Sequence, residues 1–464
     1  MKDLLKDFYN ACNPVEPASL YQFVDSDTAR GSRDLSRQFL NDLRNIEGDF
    51  ISFLFTGHLG CGKSSELYHL AEQLKNPDPS LPDKKRYFPI IMNAEDFIDT
   101  FDVNPTDVML SVLAGLSGAM KKLDIQLEDS FLWKRLEDVK SLLLSKIKVS
   151  NFKAETSFPL AKVTADFKLL KSDPENRRLV REALGRDISP LKQEINLQFD
   201  KARKELREKK EAPGGPFSDF VLIIDNLEKI DQIKEKSAGY ESHRFFFIEN
   251  ASQLTGLKAH VIYTVPLPLV IQDGNQLSTL YGNRPFVLPM IKIEEKPPQR
   301  QRYNPGWDTL HNILQKRAGD TPLESLIEKD ALDFLIRYSG GHTRQLIMFI
   351  RSAISFMDGK PPINLHAAQT AVGDTVDLYS RMKSAYWPKL AALELSDNQE
   401  IDSGDDDIKY MLQQLIILEY RNGGSRDNPF LRSIPWYGVH PIVRELPLFK
   451  DSVKKLKDSR KQKR

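Results

Sequence analysis

The sequence predicts an α/β fold class, with a central parallel sheet followed first by a helical segment and then by a small helix-and-hairpin segment. Three apolar runs, 50–55, 220–224 and 259–264, have the length and continuous hydrophobicity of strands buried on both faces of a parallel sheet. Beyond Pro305 the apolar positions recur at helical spacing instead. This change of period predicts a sheet-containing core that is followed by helices.

Residues 1–48 precede the first predicted strand. A short helix comes first, a loop around 13–17 follows, and a second helix is predicted at 36–46. Arg30 and the glycine after it lie just ahead of that second helix. Two interpretations stay open for them: a position beside a bound base, or a plain surface loop.

A glycine-rich loop, GHLGCGKS at 57–64, follows the first strand, and a helical pattern follows the loop. A strand, loop and helix in this order direct backbone N–H groups and the positive helix end toward bound phosphates. Gly57 and Gly62 allow close approach, Lys63 can reach the β- and γ-phosphates, and Ser64 can ligate Mg²⁺. A chance glycine-rich turn is disfavoured because both flanking elements are present. The remaining predicted phosphate-binding residues are Gly60, Cys61 and Ser65.

The next segment continues the alternation of strand and helix. A second strand is predicted at 86–92, and Asn104-Pro105 opens a helix. Residues 124–215 form a long polar stretch, with strand-like alternation at 158–167 and a heavily charged helix near its end. We interpret this stretch as an insertion into the core. Its charged helix is a solvated helix in the favoured interpretation and a partner-binding arm in the other.

The run at 220–224 ends in acidic residues. A carboxylate at the carboxyl end of a central parallel strand emerges at the ligand-binding edge of the sheet. Asp225 can therefore hold Mg²⁺, and Glu228 can orient and deprotonate an attacking water. The alternative is that both acids only cap the next helix.

Two more strands complete the predicted sheet. The run at 259–264 ends in Thr264, whose hydroxyl can reach the γ-phosphate or the attacking water, or can simply terminate the strand. A fifth strand at 284–290, which contains two prolines, suits an edge position.

Four helices are predicted after the sheet, at 307–317, 323–338, 342–357 and 364–382. Two glycines separate the second from the third and place Arg344 in the first turn of the third. A guanidinium there can contact a phosphate and respond to the γ-phosphate, although an arginine on a solvated face is the simpler alternative.

A helix at 405–415, strands at 417–420 and 436–440 and a turn at 422–424 make up the predicted helix-and-hairpin segment. The basic run at 454–464 is a frayed, solvated tail in the favoured interpretation and a nucleic-acid arm in the other.

Composition excludes strong global electrostatic recognition. Lys and Arg number 66, Asp and Glu number 65, and the formal net charge is +1, so nucleic-acid binding is not indicated by net charge. The two cysteines, Cys12 and Cys61, predict a reducing compartment, with Cys61 as a small filler or, alternatively, an oxidation-sensitive gate. No apolar run approaches the length that crosses a bilayer, so we expect a soluble cytoplasmic protein without a membrane partner.

The loop at 57–64, the acids Asp225 and Glu228, Thr264 and the Gly-Gly-x-x-Arg segment ending at Arg344 resemble the AAA+/STAND superfamily of P-loop ATPases, most closely its initiator-like, origin-recognition branch. The resemblance covers about 45–380. It implies a P-loop NTPase αβα core, a helical lid, bound ATP and an appended winged helix. The roles it implies are Walker A for Lys63 and Ser64, Walker B for Asp225 and Glu228, sensor 1 for Thr264 and sensor 2 for Arg344.

The resemblance divides the chain into five predicted parts. These are a lead-in at 1–48, an ATPase core at 49–300 with the insertion at about 124–215, a helical lid at 301–382, a winged-helix-like domain at 383–450 and a basic tail at 451–464.

The leading hypothesis is an ATP-binding, Mg²⁺-dependent ATPase with slow turnover that acts as a nucleotide-controlled switch on a protein partner. The alternative is a DNA-binding initiator- or transposition-type AAA+ ATPase. A nucleotide kinase or GTPase is disfavoured because the sequence contains no evident guanine-reading Asn/Thr-Lys-x-Asp element and because the Arg344 segment suits an ATPase better. A homo-oligomer that forms only with nucleotide is compatible with either hypothesis.

Overall fold

The computed structural model describes residues 4–31, 35–77, 85–125, 174–184, 188–208, 216–230, 234–235, 240–357, 359–422 and 434–462. Most of the predicted insertion, including the strand-like alternation at 158–167, lies outside these residues. Nearly all of the turn predicted at 422–424 does so as well.

A five-stranded sheet forms the centre of the α/β core. Its strands, with two short flanking strands, are β1 Ser52–Gly57, β2 Tyr87–Asn93, β3 Asp219–Asp225, β4 Lys234–Glu235, β5 Tyr240–Glu241, β6 His260–Thr264 and β7 Phe286–Leu288. The spatial order is β2-β3-β6-β1-β7, and the pairs β2–β3, β3–β6 and β6–β1 are parallel. This order is typical of a P-loop core. The predicted fold class is confirmed.

Along the chain, helices precede and separate the strands of the sheet. In the first half these are α1 Leu4–Ala11, α2 Asp27–Arg30, α3 Leu35–Asn45, α4 Lys63–Lys75, α5 Ala94–Phe97, α6 Pro105–Lys122, α7 Pro174–Leu184, α8 Ser189–Glu208, α9 Ser242–Arg244, α10 Ala251–Leu254 and α11 Leu267–Tyr281.

Most of the regular elements described after the sheet are helices, and one hairpin lies among them. Its elements are α12 Asn304–Ala318, α13 Lys329–Ser339, α14 Thr343–Ser355, α15 Leu365–Ser380, α16 Tyr386–Glu394, α17 Asp406–Gln413, β8 Ile417–Arg421, β9 Pro435–Val439, α18 Pro441–Glu445 and α19 Pro447–Gln462. Strands β8 and β9 pair antiparallel, which gives the predicted order of helix and then hairpin.

Local signals in the sequence explain where several helices begin. The Asn104 side chain accepts a hydrogen bond from the backbone N–H of Thr106, and Asp107 accepts one from the N–H of Asn104. This capping box, with a proline at the first helical position, fixes the start of α6. The side chain of Asn364 caps α15 by accepting a hydrogen bond from the N–H of Ala367.

The described residues form two compact units, and the first of them comprises 36–56 and 70–286. Its core is the apolar sheet β1, β2, β3 and β6 with the buried face of α6. Helix α6 packs closely on β2 at Gly115, where an added Cβ would lie 2.4 Å from the sulfur of Met92. The long apolar runs are therefore explained by burial on the sheet.

The second unit comprises 1–35, 57–69 and 287–464. It contains the glycine-rich loop, the helices α12 to α19 and the hairpin β8–β9. This grouping differs from the five predicted domains, whose boundaries stay a prediction.

Two elements differ from the prediction. The helix predicted at 323–338 begins only at Lys329, because Ile327 is extended and forms a parallel bridge with Ile363. The tail predicted to be frayed from 454 is, up to Gln462, part of α19, which packs against α16. Arg460 there donates a hydrogen bond to the carbonyl of Leu395 over 2.8 Å.

Within the described residues, every helix is either too short or too polar to traverse a lipid bilayer.

Candidate phosphate-binding site

The glycine-rich loop lies where the sequence predicts it, between the end of β1 at Gly57 and the start of α4 at Lys63. Gly60 and Gly62 have φ angles of 79° and 110°, which side chains with a Cβ rarely adopt. Because α4 begins at the end of the loop, the amides of its first turn have no acceptor within the helix. These amides and the helix dipole favour an anion at this point.

The start of α14 contacts the loop at two consecutive carbonyls. The Nε2–H of His342 donates to the carbonyl of Leu59 over 2.7 Å. The carbonyl of Gly60 accepts from the hydroxyl of Thr343 at 2.9 Å and from the backbone N–H of Arg344 at 3.3 Å. These donors fix the direction of the loop peptides.

Arg30 holds the third consecutive carbonyl. Its guanidinium donates to the carbonyl of Cys61 over 2.7 Å, to the hydroxyl of Ser26 over 2.7 Å and to the carbonyl of Pro289. The residue is 3% exposed, so the surface-loop interpretation of this position is wrong. All three acceptors are neutral, which leaves a buried positive charge directly beside the phosphate loop.

The predicted phosphate-binding lysine is buried in the loop itself. The ammonium of Lys63 donates to the carbonyls of Gly57 and His58, each over 3.1 Å. Ser65 accepts a hydrogen bond from the N–H of Ala18 over 3.0 Å, so its hydroxyl already has a protein partner. Lys63, Ser64 and Ser65 form the start of α4, as the motif requires.

The side chain of His58 is buried, and both of its ring nitrogens form hydrogen bonds. Its Nδ1–H donates to the carbonyl of Leu412 over 3.2 Å, and its Nε2 accepts from the backbone N–H of Glu419 over 2.8 Å. Burial, together with the positive charge of Lys63, lowers the pKa of His58 to about 3. The imidazole is therefore neutral, with its proton on Nδ1.

The thiol of Cys61 is 1% exposed and points to the carbonyl of Leu288 over 3.8 Å. This position fits a small buried filler.

In the other unit, the neighbouring parallel strands β2, β3 and β6 each end in a polar residue. Asn93 at the end of β2 lies opposite Asp225 at the end of β3. Asp225 is 4% exposed and accepts a hydrogen bond from the N–H of Asn226 over 2.8 Å. Asn226 is in the left-handed region with φ of 64° and donates to the side chain of Asn93 over 2.9 Å. Glu228 follows in the short 3₁₀ helix Leu227–Lys229, where Asn226 occupies the cap position without a side-chain cap bond.

Thr264 connects this edge to the next strand. Its hydroxyl accepts from the N–H of Leu227 over 2.9 Å and donates to the carbonyl of Ile224 over 3.2 Å. The side chain therefore holds both ends of the turn that carries Asp225. The structure brings Thr264 and Asp225 to the same sheet edge, and direct phosphate contact by Thr264 stays a prediction.

Sequence reasoning missed the residues that hold the loop from outside. His58, His342 and Thr343 were not singled out as site residues, and for Arg30 only a position near a base or a plain surface loop was considered. The sequence did contain a signal for His342, because a histidine directly after Gly341 can cap the following helix. Its Nδ1 does accept from the N–H of Gln345 over 3.2 Å. The contacts of His58 with residues more than 350 positions away left no local signal.

Comparison with known proteins gives structural neighbours only. No protein-family model matches the chain, and no curated protein matches it. The solved structure of Cdc6p from Pyrobaculum aerophilum is similar, with a TM-score of 0.38 and 12% identity over 96% of this chain and 98% of that chain. The ADP form of the ORC2 protein of Aeropyrum pernix has a TM-score of 0.44 and 9% identity over 97% and 98% of the two chains. A Walker-type ATPase of Pyrococcus abyssi has a TM-score of 0.39 and 14% identity over 93% and 100%.

Proposed function

We propose that this protein binds ATP at the phosphate loop 57–64, hydrolyses it slowly with Mg²⁺, and uses the nucleotide to control a protein partner. The observation that carries the proposal is that three consecutive loop carbonyls, those of Leu59, Gly60 and Cys61, accept hydrogen bonds from residues outside the loop. When the carbonyls of such a loop are held on its outer side, its amides are available to an anion on the inner side.

The charges around the loop favour a polyphosphate. Lys63 places an ammonium in the loop, and Arg30 places a second buried cation behind it. Each cation donates to a carbonyl of the loop in the bonds described above, so both positive charges would attract a bound phosphate. The ammonium of Lys63 can exchange the two loop carbonyls for phosphate oxygens because all of these are oxygen acceptors within reach of one flexible side chain.

The residues predicted to hold Mg²⁺ have suitable chemistry. The hydroxyl of Ser64 and the carboxylate of Asp225 are hard oxygen donors, which Mg²⁺ prefers. When bound, Mg²⁺ would neutralise charge that develops on the phosphates. That both residues serve one nucleotide follows from the order of the motifs in the sequence, and it stays a proposal.

Hydrolysis is assigned to the turn after β3. Glu228 would orient and deprotonate the attacking water, and Thr264 would keep that turn in place through its two backbone hydrogen bonds. Arg344 would contact the phosphates, which is supported by the packing of its side chain against Gly60 of the loop.

The switch role is proposed from the lid helix α14. Three donors in its first turn, from His342, Thr343 and Arg344, bind the phosphate loop. Any shift of the loop on nucleotide exchange would therefore move the start of α14. A protein partner that binds one arrangement of the lid would then be regulated by the nucleotide.

The experiment is a paired test of binding and turnover. Lys63→Ala should abolish ATP binding, whereas Glu228→Gln should bind ATP as the parent does and lose hydrolysis. Release of phosphate from ATP is measured for all three proteins, with GTP as the competing nucleotide. Parent-like hydrolysis by Glu228→Gln would contradict the role given to that carboxylate.

A second function, DNA binding by an initiator-like ATPase, is favoured by one observation. Helix α19 presents several exposed cations, those of Lys454, Lys455, Lys457, Arg460 and Lys461. A duplex contact made by them would weaken steeply with salt. Retention of a labelled duplex at 50 mM salt that is lost at 200 mM salt would support this function, and no retention at 50 mM would exclude it.

A further inference from the structure

His58 occupies the second position of the phosphate loop, and its side chain points away from the loop. Both ring nitrogens are bonded to backbone groups of the C-terminal helix-and-hairpin segment. The first partner, Leu412, belongs to α17, and the second, Glu419, belongs to β8. Because the partners are backbone atoms, the placement of this segment determines where the imidazole can lie.

The segment that holds His58 is itself well fixed. Strand β8 pairs with β9 from Ile417↔Val439 to Arg421↔Pro435. The carbonyl of Glu419 accepts a hydrogen bond from the N–H of Met290 over 3.0 Å, so the peptide groups on both sides of this residue are bonded. The buried imidazole would lose both of its backbone partners together if the hairpin moved away.

The backbone of His58 is bonded just as closely to the groups that would receive the phosphates. Its carbonyl accepts from the ammonium of Lys63 over 3.1 Å and from the N–H of Cys61 over 3.2 Å. The same residue thus connects the hairpin, through its side chain, to the phosphate-binding lysine, through its backbone. Rotation of this residue would displace an acceptor of Lys63 and open the loop at Cys61.

We propose that His58 is a positioning residue that couples nucleotide binding at the phosphate loop to docking of the C-terminal helix-and-hairpin segment. The inference rests on the proposed function, since it deepens how the nucleotide regulates the protein. Coupling of this kind is reciprocal: a docked segment raises nucleotide affinity, and bound nucleotide shifts the docking equilibrium toward the docked state by the same factor.

The test combines nucleotide affinity with hydrogen exchange of the peptide that contains Glu419. In the parent, ADP and ATP should slow exchange at this amide. His58→Ala should weaken ATP binding at least 10-fold, speed exchange at Glu419 without nucleotide, and abolish the further slowing by nucleotide. His366→Ala, which removes an exposed histidine of α15, is the matched control and should change none of these.

A second variant guards against a folding defect. His58→Gln has an amide that can both donate and accept, so it should fold and recover part of the affinity and of the exchange protection. Parent-like ATP affinity in His58→Ala would overturn the inference. Weakened affinity with unchanged exchange at Glu419 would overturn it too, because the defect would then be local to the loop. A parent that binds no nucleotide at all would instead reject the proposed function itself.

Discussion

The backbone N–H of Arg344 donates to the carbonyl of Gly60 over 3.3 Å, and a Cβ added at Gly60 would lie 2.9 Å from the Cβ of Arg344. The first turn of α14 is thus packed directly on the glycine-rich loop. The same added Cβ would lie 2.7 Å from Nε2 of His342. This contact requires glycine for two reasons, the close approach and the φ of 79°.

Gly60→Ala should therefore destabilise the protein and weaken ATP binding together. The expected loss of unfolding free energy is about 1–3 kcal/mol, because the new methyl group forces strained backbone and displaces the two lid residues. Urea unfolding and ATP titration of the same samples measure both effects. Gly118→Ala is the control, since that glycine lies in helix α6 with nothing within 4 Å, and it should be neutral or slightly stabilising. An equal effect of both substitutions would show that packing on the lid is unimportant.

Arg30→Met should keep the lead-in folded but lower affinity for ATP more than for AMP. The substitution removes the buried charge and the bond to the carbonyl of Cys61, and both effects act on the phosphates. Arg30→Lys restores the charge without the three-way hydrogen bonding. We expect it to recover the preference for ATP over AMP only in part. Equal losses for ATP and AMP in Arg30→Met would contradict a phosphate-directed role.

Three buried histidines of the unit that contains the loop predict acid sensitivity. Burial lowers the pKa of His58 to about 3, that of His342 to about 4 and that of His440 to about 3. In each ring one nitrogen accepts a backbone N–H, so the folded protein holds the ring neutral. The unfolded chain takes up protons below its ordinary pKa of about 6.5. The contribution of these three rings to the free energy of unfolding is therefore at its maximum above this pH, and it falls as the pH decreases toward 4.

Each of these histidines contributes a slope of about 1.4 kcal/mol per pH unit below 6.5. Urea midpoints measured at pH 7, 6 and 5 should fall steadily. Unfolding of His440→Gln should take up about one proton fewer than unfolding of the parent, so its midpoints should fall less steeply with pH. Unchanged midpoints from pH 7 to pH 5 would be inconsistent with neutral buried rings.

Thr264→Val should impair hydrolysis more than binding. Valine has nearly the same shape, but it leaves the N–H of Leu227 and the carbonyl of Ile224 without the hydroxyl that bonds them. The turn that carries Asp225 and Glu228 then loses its anchor, at a cost of about 1–3 kcal/mol in stability. ATP turnover and ATP affinity are compared between parent and variant. Unchanged turnover would show that the anchor is dispensable.

Much of the fold could be predicted because its signals are local. The apolar runs of β3 and β6 are continuous, as required of strands buried on both sides, and the Asn104-Pro105 cap places α6 to within one residue. The start of α13 was missed because Leu326–Ile327 is drawn into contacts with Ile363, a tertiary effect invisible to helical periodicity. The helical tail was missed because charge dominated its composition, whereas packing against α16 stabilises it.

The candidate site likewise contains some residues with local sequence signals and others whose role depends on tertiary contacts. The phosphate loop, Asp225 and Glu228 are short motifs next to strands, and sequence alone predicts them as site residues. The groups that orient the loop, among them Arg30 and His342, act through carbonyl oxygens, which every residue possesses. Such contacts have no residue-type signature at the loop, so only the folded chain reveals them.

Equilibrium binding of ATP to the parent, to Lys63→Ala and to Lys75→Ala tests the central claim most directly. Both lysines belong to α4, but Lys75 lies at its far end, where its side chain is 42% exposed beside Glu72. The account predicts saturable, Mg²⁺-dependent binding by the parent and by Lys75→Ala, and at least a 100-fold loss in Lys63→Ala. Equal affinities in all three proteins would contradict nucleotide binding at the phosphate loop.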